Sequence, residues 1–359
     1  ALRRYATYRK VSTMKQKLHW IQALRGFAAL IVLFFHMRPH WELTPVLAIF
    51  SGVTQWGFSG VDIFFALSGF VVYRSARNAV PEQGIWLFVK RRLLRIYLGY
   101  WPVLVLIALT TVLVYQSSLP PLKKIVFSSL LLYPNIWDNW VPPAWSLSME
   151  IYFYLWIAGI ALLPQRHQVK AIVCGIAILA AWGIGWLVAD RGAVFVGQQP
   201  LRYVLTGLGI EFLAGALVAH VYESKPRFVQ RPYLALLICG VLMAAGIGLG
   251  TTSPYFDRVE IMRVASFGVM GVSALVAALA LEQTSHTPPT WLVKVGDASY
   301  SLYLLHTFLL DMSGKVRMHL GITSSEVLVV FLLLLPVAIV LVSMLWYARV
   351  EKPIMKAVL

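Results

Sequence analysis

Apolar runs of roughly twenty residues recur from one end of the chain to the other, separated by short polar or charged stretches. A helix of that length spans the ~30 Å hydrocarbon core of a bilayer. Helix is the form to expect there, because it satisfies its own backbone N–H and C=O groups where water is absent. Ten runs are read, at 20–38, 57–76, 95–115, 144–163, 169–189, 201–221, 232–250, 261–281, 297–313 and 325–347. The pattern predicts an all-α, polytopic membrane protein of about ten transmembrane helices. A basic segment, 1–19, precedes the transmembrane domain, 20–349, and a short tail, 350–359, follows it. The first run lacks a small-residue cleavage site and is followed by more of its kind, so it reads as a retained helix rather than a signal peptide.

Composition agrees. Of the 359 residues 59% are hydrophobic and only 13% charged, too few charges to cover a soluble protein of this size. The net charge of +16 does not imply nucleic acid. Arg3, Arg4, Arg9, Lys10, Lys15 and Lys17 precede the first run, and Arg74, Arg77, Lys90, Arg91, Arg92 and Arg95 lie between the second and third. Placing both groups inside satisfies the bias of basic residues toward the cytoplasm, and puts both termini there. The two cysteines, Cys174 and Cys239, sit inside apolar runs and read as buried packing residues, not as a disulfide or metal framework.

Two loops stand apart. Residues 82–92 (EQGIWLFVKRR) read as a short amphipathic helix in the cytoplasmic interface, with Trp86 and Phe88 inward. The outer loop 116–143 is rich in Pro, Asn and aromatics, among them Tyr133, Trp137 and Trp140. It is either a platform for a sugar ring or an aromatic belt at headgroup level.

Ionisable groups inside the runs narrow the chemistry, because a charge or imidazole within hydrocarbon needs a compensating role. Arg25 and His36 share the first run, eleven residues apart. Eleven helical steps return almost to the same face, displaced by about 16 Å. His36, Asp62 and Glu150 then fall at similar depth near the outer ends of three helices. An imidazole can act as general base, with a carboxylate to orient it and balance its charge. Arg92 and Arg95, with Lys90 and Arg91 beside them, form an R-x-x-R cluster. It suits either phosphate oxygens or anionic lipid headgroups. His306, in SYSLYLLH, either faces the same cavity or bonds across helices, and Glu211 is a further intramembrane candidate. Pro39 separates His36 from His40, so no metal site is read. No phosphate loop, nucleophile elbow or zinc signature is present.

Five segments in order resemble the integral-membrane acyltransferase family 3, the bacterial O-acetyltransferases of cell-surface polysaccharides. They are LRGFAALIVLFFH (24–36), GVDIFFALSGFVV (60–72), RRLLRIY (91–97), WSLSMEIYFY (145–154) and SYSLYLLH (299–306), with ARVEKP (348–353) fitting the family's ending. The resemblance implies transfer of an acyl group, usually acetyl, from cytoplasmic acyl-CoA to a glycan hydroxyl outside a bacterial inner membrane. Arg25 and His36 match the family's essential pair, with His36 either the base or a transient acyl carrier. Asp62 and Glu150 fall at acidic positions of its motifs. Arg92 and Arg95, flanked by Arg91 and Lys90, match its proposed CoA-binding pair. Trp137, Trp140, Trp145 and His306 are the candidate acceptor contacts. Some members carry an extracytoplasmic hydrolase-like domain; this chain has none and is expected to act alone or with a separate partner. The expected partners are acetyl-CoA, a glycan or lipid-linked glycan and membrane lipid, with a homo-oligomer left open. The competing reading is a proton-coupled transporter or exporter of a glycan precursor, without acyl chemistry.

Overall fold

The computed structural model describes residues 18–131, 139–189, 204–223, 231–252 and 260–358, and no strand occurs among them. The long helices are α1 (His19–His36), α2 (Gly60–Gln83), α3 (Ile85–Leu113), α4 (Trp145–Leu162) and α5 (Gln165–Val188). They continue with α6 (Leu208–Glu223), α7 (Pro232–Thr251), α8 (Glu260–Leu281), α9 (Ser299–His319) and α10 (Ser325–Trp346). Each lies where an apolar run was read. Among the described residues eight helices are long and apolar enough to cross a membrane, and α6 and α9 are not among them. The protein is thus an all-α polytopic membrane protein. Two helices carry π turns, which often mark functional positions. One, Val264–Gly268, interrupts α8; the other, Tyr347–Glu351, continues α10 into Lys352–Val358.

The centre is built on α2, whose apolar stretch is the most buried of the spanning helices. Small residues let its neighbours approach, as packing between helices in lipid requires. Gly69 of α2 lies under the Phe212 carbonyl of α6, and Gly215 of α6 lies under the Ala66 carbonyl of α2. A Cβ at either position would overlap the opposing backbone. By contrast α5 and α7 bury little and display Val, Leu and Ile outward, as lipid-facing helices do.

Two expectations are corrected here. Residues 82–92 do not form a separate interfacial helix. Gly84, at φ 84°, turns the chain sharply, and α3 then runs unbroken from Ile85. A positive φ is open to glycine without steric cost. Phe88 points inward as expected, but Trp86 is 76% exposed. Cys239 is buried, whereas Cys174 lies on an exposed face of α5. An apolar helix at the rim has a lipid side, and Cys174 falls on it.

Candidate active site

A cavity of about 970 Å³, counting its open mouth, lies between α1, α2, α3, α4, α9 and the end of α10. Arg25 of α1 and Arg92 and Arg95 of α3 contribute three guanidinium groups to its wall. Arg92 and Arg95 are one turn apart, so a single helix face presents both. The Arg92 guanidinium stacks over Phe88 at 5.6 Å and lies 6.0 Å from the ring centre of Tyr154, which fixes its planar head. Lys90 and Arg91, grouped with them on sequence, do not line this cavity. Both are exposed, and Arg91 donates to Gln83. Lys90 lies nearly opposite Arg92 on α3, and Arg91, about 100° round from Arg92, is turned away by its bond to Gln83.

Two carboxylates face the three guanidiniums. Glu150 accepts from the Tyr154 hydroxyl at 2.6 Å, one helical turn on, and from the Ser68 hydroxyl of α2. Glu351, in the π turn after α10, is buried and accepts from the Ser301 hydroxyl of α9. The sequence reading took in Glu351 only as part of a closing motif. A carboxylate directly after a twenty-residue apolar run was the available signal.

His36 ends α1, and its ring is turned inward. Nδ1 lies 2.9 Å from the Val32 carbonyl and 3.2 Å from Nε2 of His306 on α9. The two rings meet edge to face, with centres 4.8 Å apart. His306 is 1% exposed, and its own Nδ1 lies 3.2 Å from the Leu302 carbonyl. His306 therefore bonds across helices, one of the two placements left open for it, and is not among the residues lining the cavity. The cavity does not reach His36 directly either. Tyr303 lines its end, hydrogen-bonds Ser146 at 2.8 Å, and packs on both Phe64 and His306. The order from the basic cluster outward is thus cavity, Tyr303, His306, His36.

Neither carboxylate expected to orient His36 does so. Asp62 is 0% exposed and bound through both oxygens to Arg263 of α8, at 2.9 and 2.6 Å. Glu150 is held by Tyr154 and Ser68. Glu150 bonds Ser68, six residues (about 9 Å) along α2 from Asp62, so the common depth expected from the sequence does not hold for it, and Asp62 is turned toward α8. Arg263 was missed, although the cost of a guanidinium inside the run 261–281 was a signal. It also stacks over Phe58 at 4.8 Å. Glu211 is buried near the same pair, against Gly268.

Of the aromatic candidates, Trp137 and Tyr133 lie outside the described residues. Trp140 is half-buried, with its backbone N–H donating to Ser128 at 2.9 Å. Trp145 is buried and packs edge-on against Phe65, with ring centres 6.4 Å apart. Trp145 is a core residue in this structure, not an open sugar contact.

Comparison with known proteins bears on these features together. A family described as "Acyltransferase domain" matches residues 18–347. The exopolysaccharide production protein ExoZ of Rhizobium meliloti is 26% identical over 313 residues, covering 84% of this chain and 90% of that one. The peptidoglycan O-acetyltransferase OatA of Listeria monocytogenes is 23% identical over 329 residues, covering 82% of this chain but only 50% of its own length. The O-acetyltransferase OatA of Staphylococcus aureus is 24% identical over 318 residues, 80% of this chain and 49% of that one. No solved structure matches. The match over nearly all the described helices, with the five motifs in order, makes the chain a member of the integral-membrane acyltransferase family 3.

Proposed function

We propose that this protein transfers an acyl group, acetyl in the first instance, from acyl-CoA on the cytoplasmic side to a glycan hydroxyl on the other side. The observation that carries the reading is an arginine-lined cavity whose far end abuts a pair of histidines through one tyrosine, Tyr303. Arg92, Arg95 and Arg25 take the donor's phosphates, because forked guanidiniums match phosphate oxygens. Glu150 and Glu351 keep the cavity from carrying three uncompensated charges. The thioester arm passes Tyr303, whose ring gives way as the arm enters.

At His36 the chemistry balances simply. Its free ring nitrogen takes the proton of the glycan hydroxyl. The oxygen forms a bond to the thioester carbonyl carbon, and the carbon–sulfur bond breaks. The leaving CoA thiolate takes back the proton from the imidazolium. General-base assistance of this kind contributes roughly 10²–10⁴ in rate. The exopolysaccharide and peptidoglycan named for the relatives motivate a glycan acceptor. The bacterial inner membrane is the fitting location, with both termini inside.

The test is acyl transfer by the purified chain in proteoliposomes, with labelled acetyl-CoA on one side and an oligosaccharide on the other. An alkali-labile label on the sugar is the expected result. An exporter of glycan precursor, the competing reading, consumes no acetyl-CoA, and a chain that neither binds nor consumes it contradicts the proposal.

A further inference from the structure

Hydrogen-bond geometry around His36 decides where its proton sits. His306 is the fixed point. Its Nδ1 faces the Leu302 carbonyl at 3.2 Å, and a carbonyl only accepts, so Nδ1 of His306 carries hydrogen. In the neutral ring Nε2 is then a bare acceptor, and it points at Nδ1 of His36, 3.2 Å away. That Nδ1 also faces the Val32 carbonyl at 2.9 Å. Both neighbours of His36 Nδ1 are therefore acceptors. The one arrangement that satisfies all three contacts puts hydrogen on Nδ1 of His36, shared between Val32 and His306. Nε2 of His36 is left with a free lone pair and has no partner among the described residues.

We infer that His306 is a positioning residue that, together with the Val32 carbonyl, locks His36 in the Nδ1–H tautomer, so that Nε2 is the reactive nitrogen of the site. The inference rests on the acyl-transfer reading for its consequence in rate, but not for the tautomer itself. In many enzymes a carboxylate does this for a catalytic histidine. Here a neutral imidazole does it, and the choice suits the setting. His306 is buried in the helix bundle, where an unpaired carboxylate would be costly, and Asp62 and Glu150 are engaged elsewhere. His306 touches neither the cavity nor the open nitrogen of His36. It acts through the ring it holds, whether Nε2 takes a proton or takes the acyl group.

The replacement series follows from side-chain reach. Gln at 306 can place its amide oxygen near the position of Nε2 and keep an acceptor for His36. Asn is too short to do so and reaches only toward Leu302. Phe fills the space without any acceptor. In the full-length chain in nanodiscs, ¹⁵N chemical shifts of labelled histidine, assigned with His36→Gln, read the tautomer directly. Wild type and His306→Gln are expected to show His36 with hydrogen on Nδ1 and a bare Nε2. His306→Asn and His306→Phe are expected to show mixed tautomers. In acyl transfer, Gln should keep kcat within about tenfold, whereas Asn and Phe should lose about 10²-fold in kcat with KM for acetyl-CoA unchanged. Hydrogen on Nε2 of His36 in the wild type overturns the inference, as does an unchanged His36 spectrum in His306→Phe. So does an equal loss of kcat in the Gln and Phe variants. A wild-type chain with the expected tautomer but no acyl transfer overturns the proposed function and leaves the tautomer assignment standing.

Discussion

Arg263 grips both carboxylate oxygens of Asp62, Nε to Oδ1 at 2.9 Å and Nη2 to Oδ2 at 2.6 Å, in a site sealed from solvent. The pair joins α2 to α8 next to a π turn. Removing one partner of a buried ion pair leaves an uncompensated charge, whereas replacing both by apolar groups can be neutral. Asp62→Asn is expected to cost about 3–5 kcal/mol, seen as a lower melting temperature in detergent. The double change Asp62→Leu with Arg263→Met is expected to recover most of that stability and to retain acyl transfer. A double variant that is stable but inactive would return Asp62 to the catalytic machinery.

The cavity separates two pairs of basic residues that lie side by side in sequence. Arg92→Ala and Arg95→Ala are each expected to weaken acetyl-CoA binding about tenfold, which corresponds to ~1.4 kcal/mol. Their binding should also fall less steeply with added salt than that of the wild type, since a charged contact has been removed. Lys90→Ala and Arg91→Ala should leave the affinity within about twofold, a difference of ~0.4 kcal/mol or less. Isothermal titration in detergent measures all four. Equal effects across the four residues would point to a diffuse lipid-facing charge instead of a donor site.

Helix positions were largely legible because a twenty-residue apolar run leaves the backbone one economical solution in hydrocarbon. Arg25 and His36 stand out as candidates by their cost alone. The partner of His36 was not legible. His306 lies 270 residues away in sequence, and which helix faces which is set by contacts such as Gly69 on Phe212 that no periodicity encodes. Asp62 and His36 are each turned to a different neighbour, and Glu150 lies in the arginine-lined cavity beside Ser68. The turn at Gly84 was hidden for a related reason: the apolar and basic pattern of 82–92 fits a surface helix or the first turns of a longer one equally well. Arg263 was within reach, because the cost argument applied to Arg25 covers any guanidinium inside an apolar run.

Close packing of α2 on α6 should be sensitive to a single methyl group. Gly69→Ala and Gly215→Ala each drive a Cβ into an opposing carbonyl. The backbone has no side chain to move aside, so each is expected to cost at least 1–3 kcal/mol, roughly the range for overpacking. Thermal unfolding in detergent gives the order. Gly159→Ala, where a Cβ meets open space, is the matched control and should change little.

The central claim is that the imidazole of residue 36 performs the transfer and does not hold the donor. The most direct measurement is single-turnover acetyl transfer by purified His36→Ala, with acetyl-CoA affinity determined on the same sample. The expected result is a rate lowered by roughly 10²–10⁴ and an affinity within about threefold of wild type, or ~0.65 kcal/mol. Transfer at a near-normal rate by this variant would contradict the account.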